Sequence, residues 1–290
     1  MKILVVGGTR YFGIPMINAL LAKGHDVTIA TRGNTKVDFD GEVSYVTLDR
    51  MDPGSVKNAL ENRKFDVIID KIAYGSNDVK ALLENVSCDR YIQMSTCSVY
   101  QRNHGDITED EFVTAEYPLE WTGRLKDYPT TKRNAERAAL EYMDPSACTF
   151  VRYPVVLGEN DYTGRFRFYL EHIWNEQPMY VDYPDSAMSF IYEKEAGEFI
   201  AYIVDHPISG AVNGCSNGTI RISEIISYAE KKLGKKAVLA ENGDPAPYNG
   251  VEDILSFSTN KAKEAGYAFS DLDSWIYKLI DYEIAALGQR

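Results

Sequence analysis

The sequence predicts an α/β fold, in which a doubly wound parallel sheet is followed by a smaller carboxyl-terminal lobe. Short apolar runs bounded by glycine alternate with segments of helical periodicity through the first half of the 290-residue chain. The first of these runs breaks into the glycine-rich turn GGTRYFG. After residue 158 the alternation gives way to an aromatic stretch that carries paired arginines. Together these observations favour a parallel sheet with helices on both faces and a separate lobe behind it.

The predicted strands are short and mostly apolar. The first contains the run ILVV, whose β-branched and leucine side chains occupy both faces, as in a fully buried strand of a parallel sheet. Strands are predicted at residues 2–6, 26–30, 43–47, 66–69, 90–94 and 148–153.

Helices are predicted between these strands. In residues 11–23 the apolar side chains of Phe12, Met16 and Leu20 recur at helical spacing, and Gly24 is a natural stop. Further helices are predicted at residues 53–62, 77–85 and 128–143. The alternation of strand and helix implies right-handed crossovers between parallel strands.

The predicted domain division follows the change of texture at residue 158. Residues 1–158 form the sheet domain, and residues 159–290 form mainly the second lobe, with segments near residues 187–215 as candidates to return to the first domain. Such a lobe would cover the carboxyl ends of the strands, where open α/β sheets bind their ligands.

Composition and charge argue against several functional classes. The formal net charge of -12 disfavours general binding to nucleic acids. The four cysteines and four histidines show no metal-binding spacing, so no metal site and no disulfide framework are expected. The first apolar run is too short for a signal peptide, and no run reaches the roughly 18 apolar residues of a membrane helix. We therefore expect a cytoplasmic protein without a membrane segment.

The glycine-rich turn is a candidate cofactor site. In dinucleotide-binding turns, one glycine makes the bend, one admits the pyrophosphate, and one lets the helix pack on the strand. Gly7 and Gly13 can take the first and third roles, whereas Arg10 stands at the middle position. A plain strand-to-helix turn with a surface arginine remains the alternative. The expected cofactor-binding residues of the turn are Gly7, Gly8, Thr9, Arg10, Tyr11, Phe12 and Gly13.

A second arginine indicates which dinucleotide binds. Thr31 and Arg32 follow the second strand, at the position where an acidic residue would bind an NAD ribose and an arginine would accommodate a 2′-phosphate. Arg10 and Arg32 are therefore expected to form a cationic clamp, which favours NADP, with NAD as second choice. Asp49, after the third strand, is positioned to accept a hydrogen bond from the adenine amino group, or else to act as a turn or cap residue.

Five motifs distributed over the chain resemble those of a known family. They are GGTRYFG, MSTCSVY, YPTTK, FVRYPVVLG and FSTNKAKEAGYAF. They resemble the NAD(P)-dependent epimerase/dehydratase family, in the extended branch of the short-chain dehydrogenase/reductase superfamily, which has a Rossmann fold. The resemblance implies catalytic roles for Thr96, Tyr128 and Lys132. It also implies cofactor contacts at Ile72, Ala73, Tyr128, Lys132, Tyr153, Pro154 and Val155.

The spacing of the implied catalytic pair suits its chemistry. Tyr128 and Lys132 are four residues apart, so a helix places both on one face. A cation within about 4 to 6 Å can lower the pKa of a phenol by roughly 1 to 3 units, which would make Tyr128 a usable general acid/base. The same spacing recurs at Tyr228 and Lys232, in the distal lobe, where a solvated pair is expected. A tyrosine packed on the core at a helix start is the alternative for Tyr128.

The sequence also departs from the family's pattern. The middle glycine is missing, and Asn77 is only the nearest counterpart of an asparagine often added to the triad. Cys97 and Ser98 stand where family dehydratases have an Asp-Glu pair, which disfavours sugar 4,6-dehydration. Cys97 itself is expected to be a small buried side chain rather than a nucleophile.

We therefore expect an NAD(P)-dependent oxidoreductase or epimerase that acts on a hydroxyl or carbonyl of a small polar molecule, such as a nucleotide sugar. Arg165 and Arg167 could grip a substrate diphosphate, although an arginine pair on a solvated helix is also ordinary. A catalytically silent NAD(P)-sensing regulator and an RNA-binding relative are the alternatives, the second disfavoured by the charge. The family resemblance also implies a homodimer as one assembly.

Overall fold

The computed structural model describes residues 1–101, 103–248 and 251–288. Its centre is a seven-stranded sheet in which every neighbouring pair is parallel, with the strand order β3-β2-β1-β4-β5-β6-β11. The strands are β1 (Lys2–Val6), β2 (Asp26–Thr31), β3 (Ser44–Thr47), β4 (Arg63–Asp70), β5 (Val86–Thr96), β6 (Cys148–Tyr153) and β11 (Gly210–Asn213). The predicted doubly wound parallel sheet is confirmed.

The order of the strands reverses at the centre of the sheet. From β1 the chain winds outward to β2 and β3, then returns to pair β4 against the other side of β1, with Ile3 opposite Val67. The crevice outside the carboxyl ends of β1 and β4 is therefore a topological switch point, where doubly wound folds bind ligands.

Helices cover both faces of the sheet. In chain order they are α1 (Gly13–Ala22), α2 (Pro53–Leu60), α3 (Ser76–Leu83), α4 (Tyr128–Ala139), α5 (Arg167–Asn175), α6 (Glu193–Asp205), α7 (Ile222–Leu233), α8 (Asn260–Glu264) and α9 (Ile276–Ala285). Residues of α1 and α6 share one apolar cluster with the sheet, and residues of α2, α3 and α4 share another.

The first strand shows why an uninterrupted apolar run was required. Ile3 and Val5 belong to the cluster on the α1 side, whereas Leu4 and Val6 belong to the cluster on the opposite side. Successive side chains of a strand point to opposite faces, so a strand buried on both faces needs apolar residues at consecutive positions.

The boundaries of several predicted elements differ from those observed. The strand predicted at residues 90–94 extends over Val86–Thr96, because its first residues, Val86 to Cys88, pair with Arg63 to Phe65 at the start of β4. The helix predicted from residue 11 begins at Gly13, since Tyr11 has a φ of 55°, in the left-handed region that no helix continues. The helix from Tyr128 ends at Ala139 instead of residue 143.

The second lobe packs around its own apolar cluster. Residues from α5, α7 and α9 form it together with strand residues that include Leu157, Met179 and Phe190. The smaller strands are β7 (Val155–Leu157), β8 (Pro178–Tyr180), β9 (Ala187–Met188), β10 (Phe190–Tyr192), β12 (Ile220–Arg221), β13 (Val238–Leu239), β14 (Asp244–Pro245) and β15 (Ile254–Leu255). Between β10 and β12 in the chain, α6 packs on one face of the main sheet and β11 pairs at its edge. The division at residue 158 and the return of segments near residues 187–215 to the first domain stay predictions.

The described residues contain neither a membrane-spanning helix nor a cluster of metal-binding side chains. Across these residues, none of the helices combines the length and the apolar character needed to cross a bilayer. Within the same ranges, no group of three or more histidine, cysteine, aspartate or glutamate side chains could hold a metal ion.

Candidate active site

The glycine-rich turn joins β1 to α1 at the switch point of the sheet. Gly7 and Gly8 have φ values of 93° and 105°, which side chains with a Cβ rarely adopt. A Cβ on Gly13 would lie 2.4 Å from the carbonyl oxygen of Gly8, so the start of the helix packs directly against the turn. The turn is therefore tight, and its glycines leave space for a phosphate group to approach the backbone.

The amino terminus of α1 has no acidic residue in its first turn. The N–H groups of Gly13 and Ile14 donate to the carbonyl oxygens of Arg10 and Tyr11, at 3.1 Å and 2.9 Å, and Pro15 has no N–H. The helix end therefore offers a phosphate group the positive end of its dipole. That partial charge and the close approach allowed by Gly7 and Gly8 fit the diphosphate of a dinucleotide.

The side chains of the turn contact the second lobe. The Tyr11 side chain is buried, and its hydroxyl donates to the carbonyl oxygen of Val156 in β7 at 2.6 Å. Arg10 is exposed and places its guanidinium 5.4 Å from the centre of the Tyr162 ring, which lies edge-on to Tyr11. Arg10 thus bridges the turn to the loop after residue 158, a contact with no signal in the sequence.

The end of β2 leaves Arg32 available to a ligand. Arg32 is exposed, and the described part of the chain offers it no carboxylate within ion-pair distance. The Thr31 hydroxyl accepts a hydrogen bond from the N–H of Gly33 at 3.2 Å, which shapes the turn. Arg10 and Arg32 therefore have different surroundings, and the structure describes no contact between them.

Asp49 serves the turn after β3. Its carboxylate accepts a hydrogen bond from the N–H of Met51 at 3.0 Å, and the cap of α2 is provided by Asp52. The turn role left open in the sequence is thus observed, and one carboxylate oxygen is engaged by the backbone.

An ion pair that the sequence did not reveal lies under the end of β4. Asp70 is completely buried, and it accepts hydrogen bonds from the Arg50 guanidinium and from the Tyr91 hydroxyl. Burial alone would lower the pKa of Arg50, but the charge of Asp70 outweighs it and the pKa is raised. The pair holds the segment after β3 against the strand whose end carries Ile72 and Ala73.

The expected catalytic lysine is buried between the ends of two strands. Lys132 lies one turn after Tyr128 on α4, and its ammonium donates to the carbonyl oxygens of Ala73 at 2.7 Å and Met94 at 2.6 Å. Burial lowers its pKa to about 8, although the charges of Asp70 and nearby carboxylates oppose that shift. These two hydrogen bonds hold α4 against the carboxyl ends of β4 and β5.

Tyr128 is the first residue of α4 and retains 39% of its exposure. Burial of the phenol and the neighbouring Tyr74 raise its pKa, and they outweigh the hydrogen bond with Thr96 and the charges of Arg165 and Arg124. The expectation of a lowered pKa for Tyr128 is wrong for the arrangement observed, because burial and Tyr74 outweigh the groups that lower it. The phenol is therefore protonated at neutral pH.

Thr96 ends β5 beside the phenol. Its hydroxyl accepts from the N–H of Ser98 at 3.1 Å and lies 3.2 Å from the Ser98 hydroxyl. Thr96 and Tyr128 thus hydrogen-bond to each other, and Lys132 lies one turn further along α4 with its ammonium on the carbonyl oxygens of Ala73 and Met94.

Two residues of this group were missed by the sequence analysis. The Tyr74 ring lies 6.5 Å from that of Tyr128, and the Arg124 guanidinium lies 4.5 Å from the Tyr74 ring centre. The Lys132 ammonium is 5.6 Å from the same ring. An aromatic residue four positions after a buried strand was the available signal for Tyr74. Asn77, the weak candidate for an added catalytic residue, is exposed at the start of α3.

The segment after β6 divides between core and crevice. Tyr153 is 3% exposed, and its hydroxyl donates to the carbonyl oxygen of Ala196 in α6 at 2.6 Å. Its side chain therefore belongs to the core under the sheet, whereas Pro154 and Val155 remain half-buried. Cys97 is buried, and burial raises the pKa of its thiol, as a small core side chain requires.

The two arginines expected at the substrate lie in different places. Arg165 is exposed and close enough to Tyr128 for its charge to lower the pKa of that phenol. Arg167 forms ion pairs with Glu171 at 2.9 Å and Glu283 at 3.7 Å, and donates to the carbonyl oxygen of Ala286. Arg167 thus joins α5 to α9, and only Arg165 is near the expected catalytic group.

The second tyrosine and lysine pair lies elsewhere. Tyr228 and Lys232 share Asp281 as a partner, with the ammonium 2.9 Å from the carboxylate, on the solvated side of α7. Its position agrees with the solvated pair expected from the sequence.

A doubly wound sheet with a glycine turn after β1 and a tyrosine–lysine pair beside the ends of β4 and β5 defines a Rossmann-fold protein of the extended short-chain dehydrogenase/reductase class. The family model of the NAD dependent epimerase/dehydratase family matches residues 3–82 and 71–217. The chain belongs to that family.

Two curated relatives match part of the chain. It is 31% identical over 116 residues to chloroplast stem-loop binding protein of 41 kDa b from Arabidopsis thaliana, covering 35% of this chain and 31% of the relative. It is 28% identical over 120 residues to 2'-dehydrokanamycin reductase from Streptomyces kanamyceticus, covering 41% of this chain and 34% of the relative. The matches thus span about a third of the length of these two relatives.

Solved structures share the fold over the whole chain. UDP-glucuronic acid 4-epimerase from Bacillus cereus, solved with NAD, is 18% identical with a TM-score of 0.73, covering 100% of this chain and 98% of its own. UDP-glucose 4-epimerase from Thermotoga maritima, solved with UDP-glucose, is 15% identical with a TM-score of 0.73, covering 99% and 100%. At these identities the likeness shows the fold.

Proposed function

We propose that this protein is an NAD(P)-dependent oxidoreductase or epimerase that acts on a hydroxyl or carbonyl group of a small polar substrate, such as a nucleotide sugar. The observation that carries the proposal is the hydrogen bond between Thr96 and Tyr128 at the end of β5, with Lys132 one turn further along α4 and bound to the carbonyl oxygens of Ala73 and Met94. The names of a reductase relative and of UDP-sugar epimerases with this fold support the same class of reaction.

NADP is the proposed cofactor, with NAD as second choice. The glycine turn and the dipole of α1 suit a diphosphate, and Arg32 suits a 2′-phosphate. The structural relative from Bacillus cereus binds NAD, which supports a nicotinamide dinucleotide but not the choice between the two. The bound nicotinamide would supply or accept a hydride.

The chain's own residues would handle the proton. The phenol of Tyr128, protonated at neutral pH, donates its proton to a substrate carbonyl oxygen. Thr96 offers a hydroxyl to the same oxygen, and Lys132 holds α4 in place through two carbonyl oxygens. The raised pKa favours the direction in which Tyr128 acts as an acid, so oxidation is expected to become faster as the pH rises towards the pKa of the phenol.

The substrate is proposed to lie under the second lobe. Arg165 is exposed beside Tyr128 and can bind an anionic group such as a diphosphate. Cys97 and Ser98 provide no carboxylates for an elimination, so epimerisation or simple redox chemistry is favoured over 4,6-dehydration.

A substrate screen followed at the nicotinamide absorbance tests the proposal. Wild type is expected to turn over at least one nucleotide sugar or small ketone, and Tyr128→Phe should lower kcat by about 10²- to 10⁴-fold. Tyr228→Phe, in the solvated pair of the second lobe, is the matched control and should retain full activity. Tight dinucleotide binding with turnover that Tyr128→Phe leaves unchanged would favour a cofactor-sensing regulator instead.

RNA binding is a second candidate, because one relative is named a stem-loop binding protein. The net charge of -12 opposes binding to a phosphate backbone over most of the surface. A filter-binding assay with stem-loop RNA at low salt decides the matter: retained RNA whose binding weakens steeply with salt would support this second function.

A further inference from the structure

Lys71 stands at the carboxyl end of β4, directly beside the glycine turn. Its backbone N–H donates to the carbonyl oxygen of Val6 at 3.1 Å, where β1 ends. A Cβ built on Gly7 would lie 3.6 Å from the Cβ of Lys71. Lys71 therefore lies directly against the glycine-rich turn that suits a dinucleotide.

The ammonium of Lys71 has an aromatic ring as its neighbour. It lies 3.9 Å from the centre of the Phe12 ring, and Phe12 occupies the cap position of α1. Among the described residues, no carboxylate lies within 4.0 Å of this ammonium. The face of an aromatic ring attracts a cation, but it repays only part of the cost of removing that cation from water.

Other lysines of the chain show how such a charge is ordinarily satisfied. Lys132 donates to two carbonyl oxygens, and so does Lys261. Lys23 pairs with Asp205 at 2.8 Å. Lys71 has neither arrangement, and burial accordingly lowers its pKa to about 8 with no opposing charge. A partly buried cation that contacts a ring and has no carboxylate or carbonyl partner among the described residues points to a counterion from outside the chain.

We propose that Lys71 binds the diphosphate of the dinucleotide at the amino terminus of α1. This assignment rests on the proposed function. It means that, in this chain, Lys71 supplies a positive charge beside the glycine-rich turn. The ring that holds the ammonium belongs to the cap residue of the helix whose dipole also favours the anion. Lys71 and Arg32 therefore divide the phosphates of NADP between them, with the diphosphate at one and the 2′-phosphate at the other.

Calorimetric titration with ADP and with adenosine 2′-monophosphate separates these two sites. Lys71→Met should weaken ADP and NADP binding by roughly 10- to 100-fold and leave adenosine 2′-monophosphate unchanged, since charged hydrogen bonds contribute on that scale. Arg32→Ala should show the opposite pattern. Lys278→Met, at an exposed position on α9, is the control and should bind all three ligands as wild type does.

Two further readouts distinguish binding from a structural role. Removal of an unpaired buried charge should raise the melting temperature of the free protein, whereas loss of a structural lysine would lower it. The affinity of wild type for ADP should fall as the pH rises above about 8, where the ammonium loses its proton, and Lys71→Met should show no such fall.

Other ionisable groups near this end of the sheet have their own partners. Glu193 accepts hydrogen bonds from Asn160, the Tyr153 hydroxyl donates to a backbone carbonyl oxygen, and Arg10 lies against Tyr162. The comparison with Lys71→Met isolates the contribution of the lysine from theirs.

The outcomes distinguish the inference from the proposed function. If wild type binds neither NADP nor ADP, the proposed function fails. If wild type binds both and Lys71→Met binds ADP equally well, or if wild-type affinity is constant from about pH 7.5 to about 9.5, the role of Lys71 is overturned and the proposed function stands.

Discussion

The buried ion pair between Arg152 and Glu136 offers a quantitative test of how α4 is held on the sheet. Both side chains are completely buried, and the guanidinium donates to both carboxylate oxygens, at 3.1 Å and 2.7 Å. Ser95 and Thr114 also donate to this carboxylate. Because Ser95 precedes Thr96 and Glu136 lies one turn after Lys132, the pair fixes the register between the expected catalytic groups.

Arg152→Met would leave the carboxylate of Glu136 buried without its cation. Breaking a buried pair in this way costs about 3–5 kcal/mol, because the remaining charge stays desolvated. At roughly 2 °C per kcal/mol for a chain of this size, the melting temperature should fall by about 6–10 °C. The double variant Arg152→Met, Glu136→Leu should lose less than the sum of its two single variants, since neither charge is left alone.

Acid should remove the same contribution in wild type. Burial alone would raise the pKa of Glu136, but the charge of Arg152 and the hydrogen bonds from Ser95 and Thr114 outweigh it, and the pKa is lowered. A group with a lowered pKa in the folded state stabilises fully above its unfolded pKa, near 4.5, and loses that contribution as the pH falls through the folded value. The stability difference between wild type and Glu136→Gln should therefore shrink below about pH 4.5.

Calorimetric melting at neutral and acid pH measures both effects. A melting temperature of Arg152→Met within about 2 °C of wild type would refute the assigned energy of the pair. Single-variant losses that simply add in the double variant would show that the two side chains are not coupled.

Three further predictions concern the turn, the two arginines and the distal pair. Gly13→Ala should abolish dinucleotide binding in calorimetry, because its Cβ would lie 2.4 Å from a backbone oxygen across the turn, whereas Gly41→Ala, with only ordinary contacts, should bind normally. Arg165→Ala should raise KM with little change in melting temperature, whereas Arg167→Ala should lower the melting temperature and leave KM unchanged, because Arg167 joins α5 to α9; the reverse pattern would contradict the placement. Tyr228→Phe should leave kcat unaltered in a steady-state assay, and a large loss would move the expected catalytic site to the second lobe.

The fold was predictable because the strands that define it place apolar residues on both faces of the sheet. The strands at residues 2–6 and 148–153 match the structure at both ends; in the second, Phe150 and Val151 pack on opposite faces although the strand also carries Arg152. The strand from Val86 was underestimated because SCDR carries no apolar pattern, and its pairing with the start of β4 is a tertiary effect.

The site was predictable where chain position decided the matter. Tyr128 was distinguished from Tyr228 by its place in the crossover between two strands. A single sequence does not show which way a side chain points. Periodicity therefore could not show that Tyr153 points into the core or that Arg167 points towards α9.

The sign of the Tyr128 pKa shift could not be read from spacing alone either. The four-residue spacing places Lys132 on the same helical face, but two backbone carbonyl oxygens from other strands hold its ammonium. Tyr74 and Lys71 were missed for a related reason, since each is an isolated residue that gains meaning only from its neighbours in space.

The position of β11 at the edge of the sheet also bears on how the protein must be synthesised. A nascent chain that has emerged only to residue 158 would present β6 with one edge unpaired and the apolar face of α1 without α6. The sheet is complete only once residue 213 has been synthesised, because β11 pairs with the free edge of β6. Residues 159–209 therefore leave the ribosome while the sheet still lacks its last strand. Truncation between the two lobes would therefore yield an aggregation-prone fragment, and a limited-proteolysis cut there would not release an autonomous nucleotide-binding piece.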